Sequence, residues 1–203
     1  MSEQPLLDQE NLRARLGEAS VGIIGLGGLG SNAAMMLLRS GLRRFVLADF
    51  DRVEESNLNR QLFFPDQLGR LKTEALAETL TRIDPEVQLT LVAERIGRDN
   101  IAAVFADVDV VIEAVDGADC KVEIVESASD CLPDTPLVWA MGLAGYASAN
   151  CIETSRVGEY SWVVGDLEAD VRAGLPLIAS RVMVAAAHEA HMAIRLLLGM
   201  QEP

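Results

Sequence analysis

The stretch VGIIGLGGLGS at positions 21–31 decides the fold, because a short apolar run breaks there into closely set glycines and then opens a helix. Gly25, Gly27 and Gly30 satisfy the pattern G-x-G-x-x-G. In that pattern the first glycine makes a tight turn, the second lets backbone approach a phosphate, and the third allows a helix to pack closely on the strand. The predicted helix over 28–40 directs its unpaired N–H groups and positive dipole end to the same place. The stretch therefore predicts a nucleotide-binding turn, although a glycine-rich turn can also be purely structural.

The context of the turn favours the nucleotide. A second β-rich run, RFVLAD at positions 44–49, ends in Asp49, about where a doubly wound fold places the carboxylate that binds a ribose. The first half of the chain is therefore predicted to be a β-α-β mononucleotide-binding unit.

Strands and helices continue to alternate along the rest of the chain. Hydrophobic spacing and helix caps predict the following segments: helices at 6–16, 66–83 (with Asp66 as N-cap), 99–105, around 122–128 and 178–198, and strands at 87–92, 108–113, 136–141, 145–154 and 160–164. The fold class predicted is α/β, a Rossmann-like open, mostly parallel sheet flanked by helices, with added antiparallel strands in the C-terminal third. We expect one domain over 1–203, comprising an N-terminal arm or helix at 1–18, a nucleotide-binding half at 19–132 and a second half at 133–203.

Composition excludes several classes of function. The formal net charge of −14 argues against a nucleic-acid partner, because binding to a phosphate backbone needs a basic surface. Half of the residues are hydrophobic, yet no apolar run reaches membrane-spanning length and the first nine residues do not resemble a signal peptide, so we expect a soluble, cytoplasmic protein without a membrane partner. The three cysteines form no C-x-x-C pair, so neither a zinc site nor a disulfide framework is expected.

Charged residues near the turn indicate chemistry on ATP. A dehydrogenase needs only to bind a pyrophosphate, whereas a site that attacks ATP must also neutralise the charge that moves onto the leaving pyrophosphate. Arg60 and Lys72 meet that demand, with Lys121 as a third cation of interest, and Asp116, just beyond a predicted strand, is the natural Mg²⁺ ligand. Each has a simpler reading: Arg60 as a surface loop residue, Lys72 on a solvated helix face and Asp116 as a helix N-cap.

The order of these motifs resembles a known family. The chain carries GLGGLG at 25–30, DFD at 49–51, SNLNRQ at 56–61, Gly69-x-x-Lys72 and Asp116, the ordered signature of the ThiF/MoeB/HesA superfamily, relatives of the ubiquitin-activating enzymes. The second half, with GLAGY at 142–146, GDxE at 165–168 and Ala179-x-Arg181-Val182, is similar to the compact ThiF subtype.

This resemblance implies an ATP- and Mg²⁺-dependent adenylyltransferase. In such an enzyme the C-terminal glycine carboxylate of a small ubiquitin-like sulfur carrier attacks the α-phosphate, giving an acyl-adenylate and pyrophosphate. A ThiS-like carrier with a C-terminal Gly-Gly, bound by the half at 133–203, is implied in the same way. So are a homodimer and a role on the route to the thiazole of thiamin. The roles carried over by position are nucleotide binding by Gly25, Gly27, Gly28, Leu29, Gly30, Asp49, Asp51, Asn57, Arg60 and Lys72, catalysis by Arg60, Lys72 and Asp116, and Mg²⁺ binding by Asp116.

The sequence departs from the wider family in ways that leave alternatives open. The zinc-binding C-x-x-C pairs of longer members are absent, Gly117 replaces the usual Asn after the Mg²⁺ ligand, and Arg13 and Arg15 are the candidates for an arginine donated to a partner's ATP. A molybdopterin-synthase-type carrier is an alternative substrate, and a tRNA-modifying dehydratase activity is a further one that short length and acidic charge oppose. An NAD-dependent oxidoreductase or a catalytically silent scaffold are the alternatives from other classes. His188 and His191 are expected to be packing residues.

Overall fold

The computed structural model describes residues 7–168 and 174–203, so Leu6 of the expected leading helix lies outside the described residues. The described helices are α1 (Gln9–Glu18), α2 (Gly28–Ser40), α3 (Lys72–Ile83), α4 (Ile101–Phe105), α5 (Ala118–Cys131) and α6 (Ala179–Leu197). The described strands are β1 (Ser20–Ile24), β2 (Arg44–Ala48), β3 (Gln88–Val92), β4 (Val110–Glu113), β5 (Leu137–Ala140), β6 (Glu153–Arg156) and β7 (Ser161–Gly165). Short 3-10 turns lie at Glu55–Asn57, Pro65–Gln67 and Ala149–Cys151.

The described strands form a single sheet in the order β3-β2-β1-β4-β5-β7-β6. All neighbouring pairs run parallel except β6 and β7, which are antiparallel. The predicted fold class is therefore confirmed. The strand order reverses between β1 and β4, and open α/β sheets bind their ligands at the carboxyl ends of the strands beside such a reversal.

Helices cover both faces of the sheet, and β1 shows how the sequence divides between them. Val21 and Ile23 face the core formed with α2, α3 and α6, whereas Ile24 faces the core formed with α4 and α5. Gly22 lies on the second face, where an added Cβ would stand 2.4 Å from the ring of Phe105. Side chains on both faces are buried, which explains why the strand is a continuous apolar run.

The helix expected to begin near Asp66 begins instead at Lys72. Gly69 has a φ of +80°, which breaks the chain away from the 3-10 turn at Pro65–Gln67. The segment after it pairs with the loop that follows β2, because Val53 N–H donates to Arg70 O and Lys72 N–H donates to Asp51 O, both at 2.9 Å. This pairing anchors the first residue of α3 beside Asp51.

The predicted strand at 145–154 is wrong over most of its length. Gly145 has a φ of +84°, a 3-10 turn follows at Ala149–Cys151, and strand geometry begins only at Glu153. The carbonyls of Ala147 and Ser148 accept hydrogen bonds from the Arg181 guanidinium at 2.9 and 2.7 Å, which ties this segment to α6. The other strand predicted to be antiparallel, β7, pairs parallel with β5 and antiparallel with β6.

Two helices also differ from the expectation. The helix expected around 122–128 is longer and runs over Ala118–Cys131. The helix expected over 99–105 is shorter and begins at Ile101. Within the described part of the chain, no helix is long and apolar enough to cross a membrane.

Candidate nucleotide-binding site

The turn between β1 and α2 uses its glycines for different reasons. Gly25 has a φ of +89°, and a Cβ there would lie 2.8 Å from Ala114 C, so the turn packs directly on the chain that leaves β4. A Cβ on Gly30 would lie 1.9 Å from Gly25 O, so α2 can approach the turn only without a side chain at that position. The space beside Gly27 is open, with Gln61 Nε2 the nearest atom at 3.7 Å. Gly27 therefore leaves room for a ligand, whereas Gly25 and Gly30 serve the packing.

The N-terminus of α2 points at this open space. Gly28 and Leu29 begin the helix, and the Leu29 side chain is buried in the core, so these residues offer a ligand their backbone N–H groups. Among the described residues no side chain caps the helix, and its first turn contains no acidic residue. A helix end of this kind combines unpaired N–H donors with a partial positive charge, which favours an anion such as a phosphate.

Asp49 lies against the turn at the end of β2. Its Oδ2 accepts the N–H of Leu26 at 2.7 Å, and its Oδ1 accepts the N–H of Asp51 at 2.8 Å. Burial raises the pKa of the Asp49 carboxyl, and the nearby Lys72 ammonium and the two backbone donors oppose that rise. The carboxylate is thus fixed in orientation at the edge of the open space, where the ribose-binding acid was expected.

Lys72 is buried, with 7% of its surface exposed, so it does not lie on a solvated helix face. Its Nζ is 2.8 Å from Asp51 Oδ2 and 3.8 Å from Asp49 Oδ2. The pairing of the segment before α3 with the loop after β2 brings the lysine to these carboxylates. One cation and two acids are therefore gathered beside the glycine turn.

Arg60 lies on the other side of the turn. Its backbone carbonyl accepts the side-chain amide of Asn32 at 3.0 Å, and a Cβ on Gly28 would lie 3.4 Å from Arg60 Cγ. The guanidinium Nη1 donates to Ser56 O at 3.0 Å and to Asn59 Oδ1 at 2.8 Å. These contacts hold a half-buried cation next to the N-terminus of α2, which a free surface loop would not do.

Asn57 is buried and has a structural partner. Its Oδ1 accepts the N–H of Glu54 at 3.0 Å, closing the 3-10 turn that begins the loop to Arg60. Its side-chain nitrogen is 3.4 Å from Ser56 Oγ. The phosphate contact expected of Asn57 stays a prediction.

Two side chains that we did not single out from the sequence join this loop to α2. Ser31 Oγ donates to Gly27 O at 2.6 Å and accepts the N–H of Leu62 at 3.1 Å, while Asn32 Nδ2 donates to Gly28 O at 2.7 Å and to Arg60 O. Both are fully buried. The sequence feature that could have identified these two residues is a polar pair directly after the glycine pattern, on a helix face that is otherwise apolar.

Asp116 lies three residues beyond β4, next to the strand that leads into the glycine turn. Its side chain is exposed, and α5 begins after Gly117 without a side-chain cap among the described residues, so Asp116 is not a helix cap. No cluster of three or more His, Cys, Asp or Glu in residues 7–168 and 174–203 could hold a metal ion by itself. A single carboxylate suits Mg²⁺ that is shared with the phosphates of a substrate, since Mg²⁺ commonly uses one or two carboxylates in that way.

Lys121, the third cation noted in the sequence, is committed to another partner. Its Nζ forms an ion pair with the buried carboxylate of Glu113 at the end of β4. It therefore lies behind the loop that carries Asp116.

The second half of the chain contacts the site through the start of α6. A Cβ on Gly28 would meet Val182 Cγ1 at 2.8 Å, so α6 packs on the glycine turn. The preceding residue, Arg181, is buried and forms an ion pair with Asp166 just after β7. Exposed large apolar side chains of the second half include Met141, Tyr146, Leu167, Leu175 and Met183.

Comparison with known proteins agrees with the resemblance. The family model described as "ThiF family" matches residues 3–203, so the chain belongs to the ThiF family. The sulfur carrier protein ThiS adenylyltransferase of Escherichia coli is 37% identical over 142 residues, which cover 68% of this chain and 56% of that protein. The ubiquitin-like modifier-activating enzyme 5 of Arabidopsis thaliana is 52% identical over 75 residues, which are 37% of this chain and 17% of that protein. The chain thus matches between about a sixth and about half of the length of these relatives.

Solved structures share the fold. The Escherichia coli tRNA N6-threonylcarbamoyladenosine dehydratase TcdA, solved in complex with ATP, superposes with a TM-score of 0.84 at 23% identity, covering 94% of this chain and 90% of that one. Escherichia coli MccB, solved with succinimide, gives a TM-score of 0.72 at 23% identity and covers 95% of this chain and 60% of that one. At these identities the likeness shows the fold alone.

Proposed function

We propose that this chain is an ATP-dependent adenylyltransferase that activates the C-terminal glycine carboxylate of a small ubiquitin-like sulfur carrier as an acyl-adenylate. The observation that carries the proposal is the position of Lys72, buried between Asp49 and Asp51 beside an open glycine turn. Arg60 supports it from the other side of the turn. A site that only binds a pyrophosphate through backbone amides has no need of two such cations.

The reaction makes specific demands on this site. A carboxylate oxygen of the carrier forms a bond to the α-phosphorus of ATP, the bond from that phosphorus to the bridging oxygen breaks, and pyrophosphate leaves with the electron pair. Arg60 and Lys72 stabilise the charge that develops on the phosphates, because cationic donors in a dry site act where charge accumulates. Asp49 holds the ribose, and the N–H groups at the start of α2 bind phosphate oxygens.

Asp116 would hold Mg²⁺, which would supply Lewis-acid stabilisation of the phosphoryl charge. Asp51 pairs with Lys72, and its backbone N–H donates to Asp49 beside the turn, so we assign it a role near the reacting phosphate. The fit of ATP to this region is supported by the open space beside Gly27.

For the partner we propose a ThiS-like carrier with a C-terminal Gly-Gly, on the route to the thiazole of thiamin. The support is the match to a protein named ThiS adenylyltransferase, which covers two thirds of this chain. We assign docking of the carrier to the exposed apolar side chains at Met141, Tyr146 and Met183, in the half of the chain that packs on the turn through α6. A homodimer in the cytoplasm, without zinc, nucleic acid or membrane, completes the proposal.

A carrier-dependent exchange of pyrophosphate into ATP tests the proposal. We expect exchange with Mg²⁺ and a ThiS-like carrier, and no exchange once the terminal Gly-Gly is removed. Arg60→Ala and Asp116→Ala should abolish it, whereas Arg98→Ala, which breaks an exposed ion pair with Asp130, serves as the matched control and should retain it. Exchange supported only by a molybdopterin-synthase-type carrier would change the partner. Absence of exchange together with tight NAD binding would contradict the activity and favour the oxidoreductase.

A further inference from the structure

One carboxylate fixes both ends of the loop that carries Asp116. Glu113, the last residue of β4, is fully buried, and its Oε1 accepts the N–H of Val115 at 2.8 Å. Its Oε2 forms an ion pair with Nζ of Lys121, whose side chain is 16% exposed in the first turn of α5. The loop between strand and helix is therefore tied to Glu113 before and after Asp116.

Few other contacts hold this loop. The N-cap of α5 is Gly117, whose carbonyl accepts the Lys121 N–H at 2.8 Å, and no side chain in the described part of the chain caps the helix. Asp116 itself is exposed. The loop begins from a fixed point, because Ala114 N–H donates to Ile24 O at 2.7 Å in continuation of the sheet. Residue 114 is thus held by the sheet, and Val115 packs partly against the core beneath α4 and α5, so residues 116 and 117 are the part of the loop that the Glu113–Lys121 pair orients.

Stability alone is a weak reason for this pair. A buried ion pair carries a large desolvation cost, and apolar residues of similar volume often serve stability equally well or better. What apolar residues would not supply is the acceptor for Val115 N–H and the directional link from β4 to the first turn of α5.

We propose that Glu113 and Lys121 are positioning residues that hold Asp116 at the place where it binds the metal of a metal–nucleotide complex. The inference rests on the proposed function, because Asp116 is a metal ligand only there. The sequence singled out Lys121 only as a third cation of interest, and this geometry gives it a specific role. It acts on the metal through the loop and does not touch the nucleotide.

The test is the affinity for Mn²⁺ of the protein saturated with a non-hydrolysable ATP analogue, measured by electron paramagnetic resonance. Asp116→Ala defines the loss of the ligand. We expect Lys121→Met to weaken Mn²⁺ binding by about 10- to 100-fold, the usual effect of removing a group that orients a metal ligand. Binding of the analogue without metal should be unchanged, because the glycine turn packs on residues 114 and 115, which the sheet and the core hold without Lys121. Lys121→Arg keeps the charge and should restore most of the affinity.

A matched control and a second variant keep the result interpretable. Asp130 lies at the other end of α5, and Asp130→Asn removes its ion pair with Arg98. This variant should leave Mn²⁺ binding unchanged. Glu113→Gln retains an oxygen that accepts the Val115 N–H but loses the charge that pairs with Lys121. It should therefore also weaken Mn²⁺ binding. If Lys121→Met does not fold, Glu113→Gln provides the test. Equal losses with and without metal, or no loss in either, would overturn the proposal.

The outcomes also separate this proposal from the proposed function. A protein in which Asp116→Ala leaves Mn²⁺ affinity unchanged has no metal ligand at this position, which overturns the metal assignment and the positioning role together. A protein in which Asp116→Ala and Lys121→Met both weaken Mn²⁺ binding, but which shows no pyrophosphate exchange with any carrier, retains the positioning role and lacks the adenylation activity.

Discussion

The carboxylate of Asp49 accepts a 2.7 Å hydrogen bond from the backbone N–H of Leu26, which joins the end of β2 to the glycine turn that follows β1. The same carboxylate accepts the N–H of Asp51 and lies 3.8 Å from the Lys72 ammonium. The acid therefore shapes the turn and orients the cation that faces it. The two effects, on the turn and on Lys72, come from one side chain, and Asp49→Ala and Asp49→Asn should remove them to different extents.

Asp49→Ala should destabilise the protein, because it leaves the N–H groups of Leu26 and Asp51 without their acceptor. An unpaired buried donor costs about 1–3 kcal/mol. Asp49→Asn keeps an acceptor oxygen and should lose less stability than Asp49→Ala. Its neutral amide should still weaken ATP binding, because it can no longer pair with Lys72 or accept two hydrogen bonds from ribose hydroxyls. Urea unfolding and calorimetric titration with ATP measure the two effects. An Asp49→Ala protein as stable as the wild type would contradict the structural role of Asp49.

Gly27→Ala and Gly30→Ala should fail in different ways. Gly30→Ala places a Cβ 1.9 Å from Gly25 O and should cost about 3 kcal/mol, the upper end of ordinary overpacking, because backbone must move. Gly27 has a φ of −77°, and an added Cβ would meet its nearest atom, Gln61 Nε2, only at 3.7 Å. The Gly27→Ala protein should therefore remain folded, with its methyl group in the space proposed for phosphate. Thermal unfolding and ATP affinity distinguish them. Unchanged ATP affinity in Gly27→Ala would place the nucleotide elsewhere.

Lys72→Met should reduce pyrophosphate exchange by about 10²- to 10³-fold, the usual effect of removing one donor that stabilises transition-state charge. Arg70→Met is the matched control: it removes a nearby cation whose ion pair with Glu78 is exposed, and exposed pairs contribute little. Steady-state exchange kinetics with ATP and carrier varied separately measure both variants. Equal losses in the two variants would show that the effect is not specific to the buried lysine.

The stability of the protein should depend on pH through Glu189. This carboxyl is fully buried, and neither oxygen has a hydrogen-bond partner among the described residues. Burial raises its pKa well above the ordinary value; the Lys121 charge opposes this shift and Glu113 adds to it. The folded state therefore binds the proton more tightly than the unfolded state, so the stability that Glu189 contributes is full below pH about 4.3 and is lost as pH rises toward the folded pKa.

Glu189→Gln removes this titration and is close in shape to the neutral acid. Its free energy of unfolding relative to wild type should increase with pH above about 4.3, by at most about 1.4 kcal/mol per pH unit. Urea unfolding at several pH values between about 5 and 8 measures the difference. A difference that stays constant across this range would contradict a raised pKa of Glu189 in the folded state.

The parts of the site that follow local patterns could be predicted from the sequence. The glycine turn, Asp49 and Asp116 each stand at a strand end, and the parallel topology brings those ends to one edge of the sheet. Parts that depend on contacts distant in sequence could not be predicted. The start of α3 at Lys72 follows from pairing with residues 51–53, and the irregular chain before β6 follows from Arg181 on a later helix.

The Glu113–Lys121 pair shows the same limit. Glu113 ends an apolar strand and Lys121 lies on a helix that was expected to begin only near Val122, so the sequence placed them in different elements with no sign of contact. Glu189 was equally hidden, because one acid on a long helix has no pattern that distinguishes a buried position from an exposed one.

The most direct test of the central claim is the fate of the carrier's carboxylate oxygen. A carrier whose terminal glycine carboxylate contains ¹⁸O is incubated with this protein, ATP and Mg²⁺, and the AMP released by hydrolysis of the product at its acyl carbon is analysed by mass spectrometry. Attack of that carboxylate on the α-phosphorus predicts AMP with one ¹⁸O atom and pyrophosphate with none. AMP that contains no ¹⁸O would contradict the formation of an acyl-adenylate.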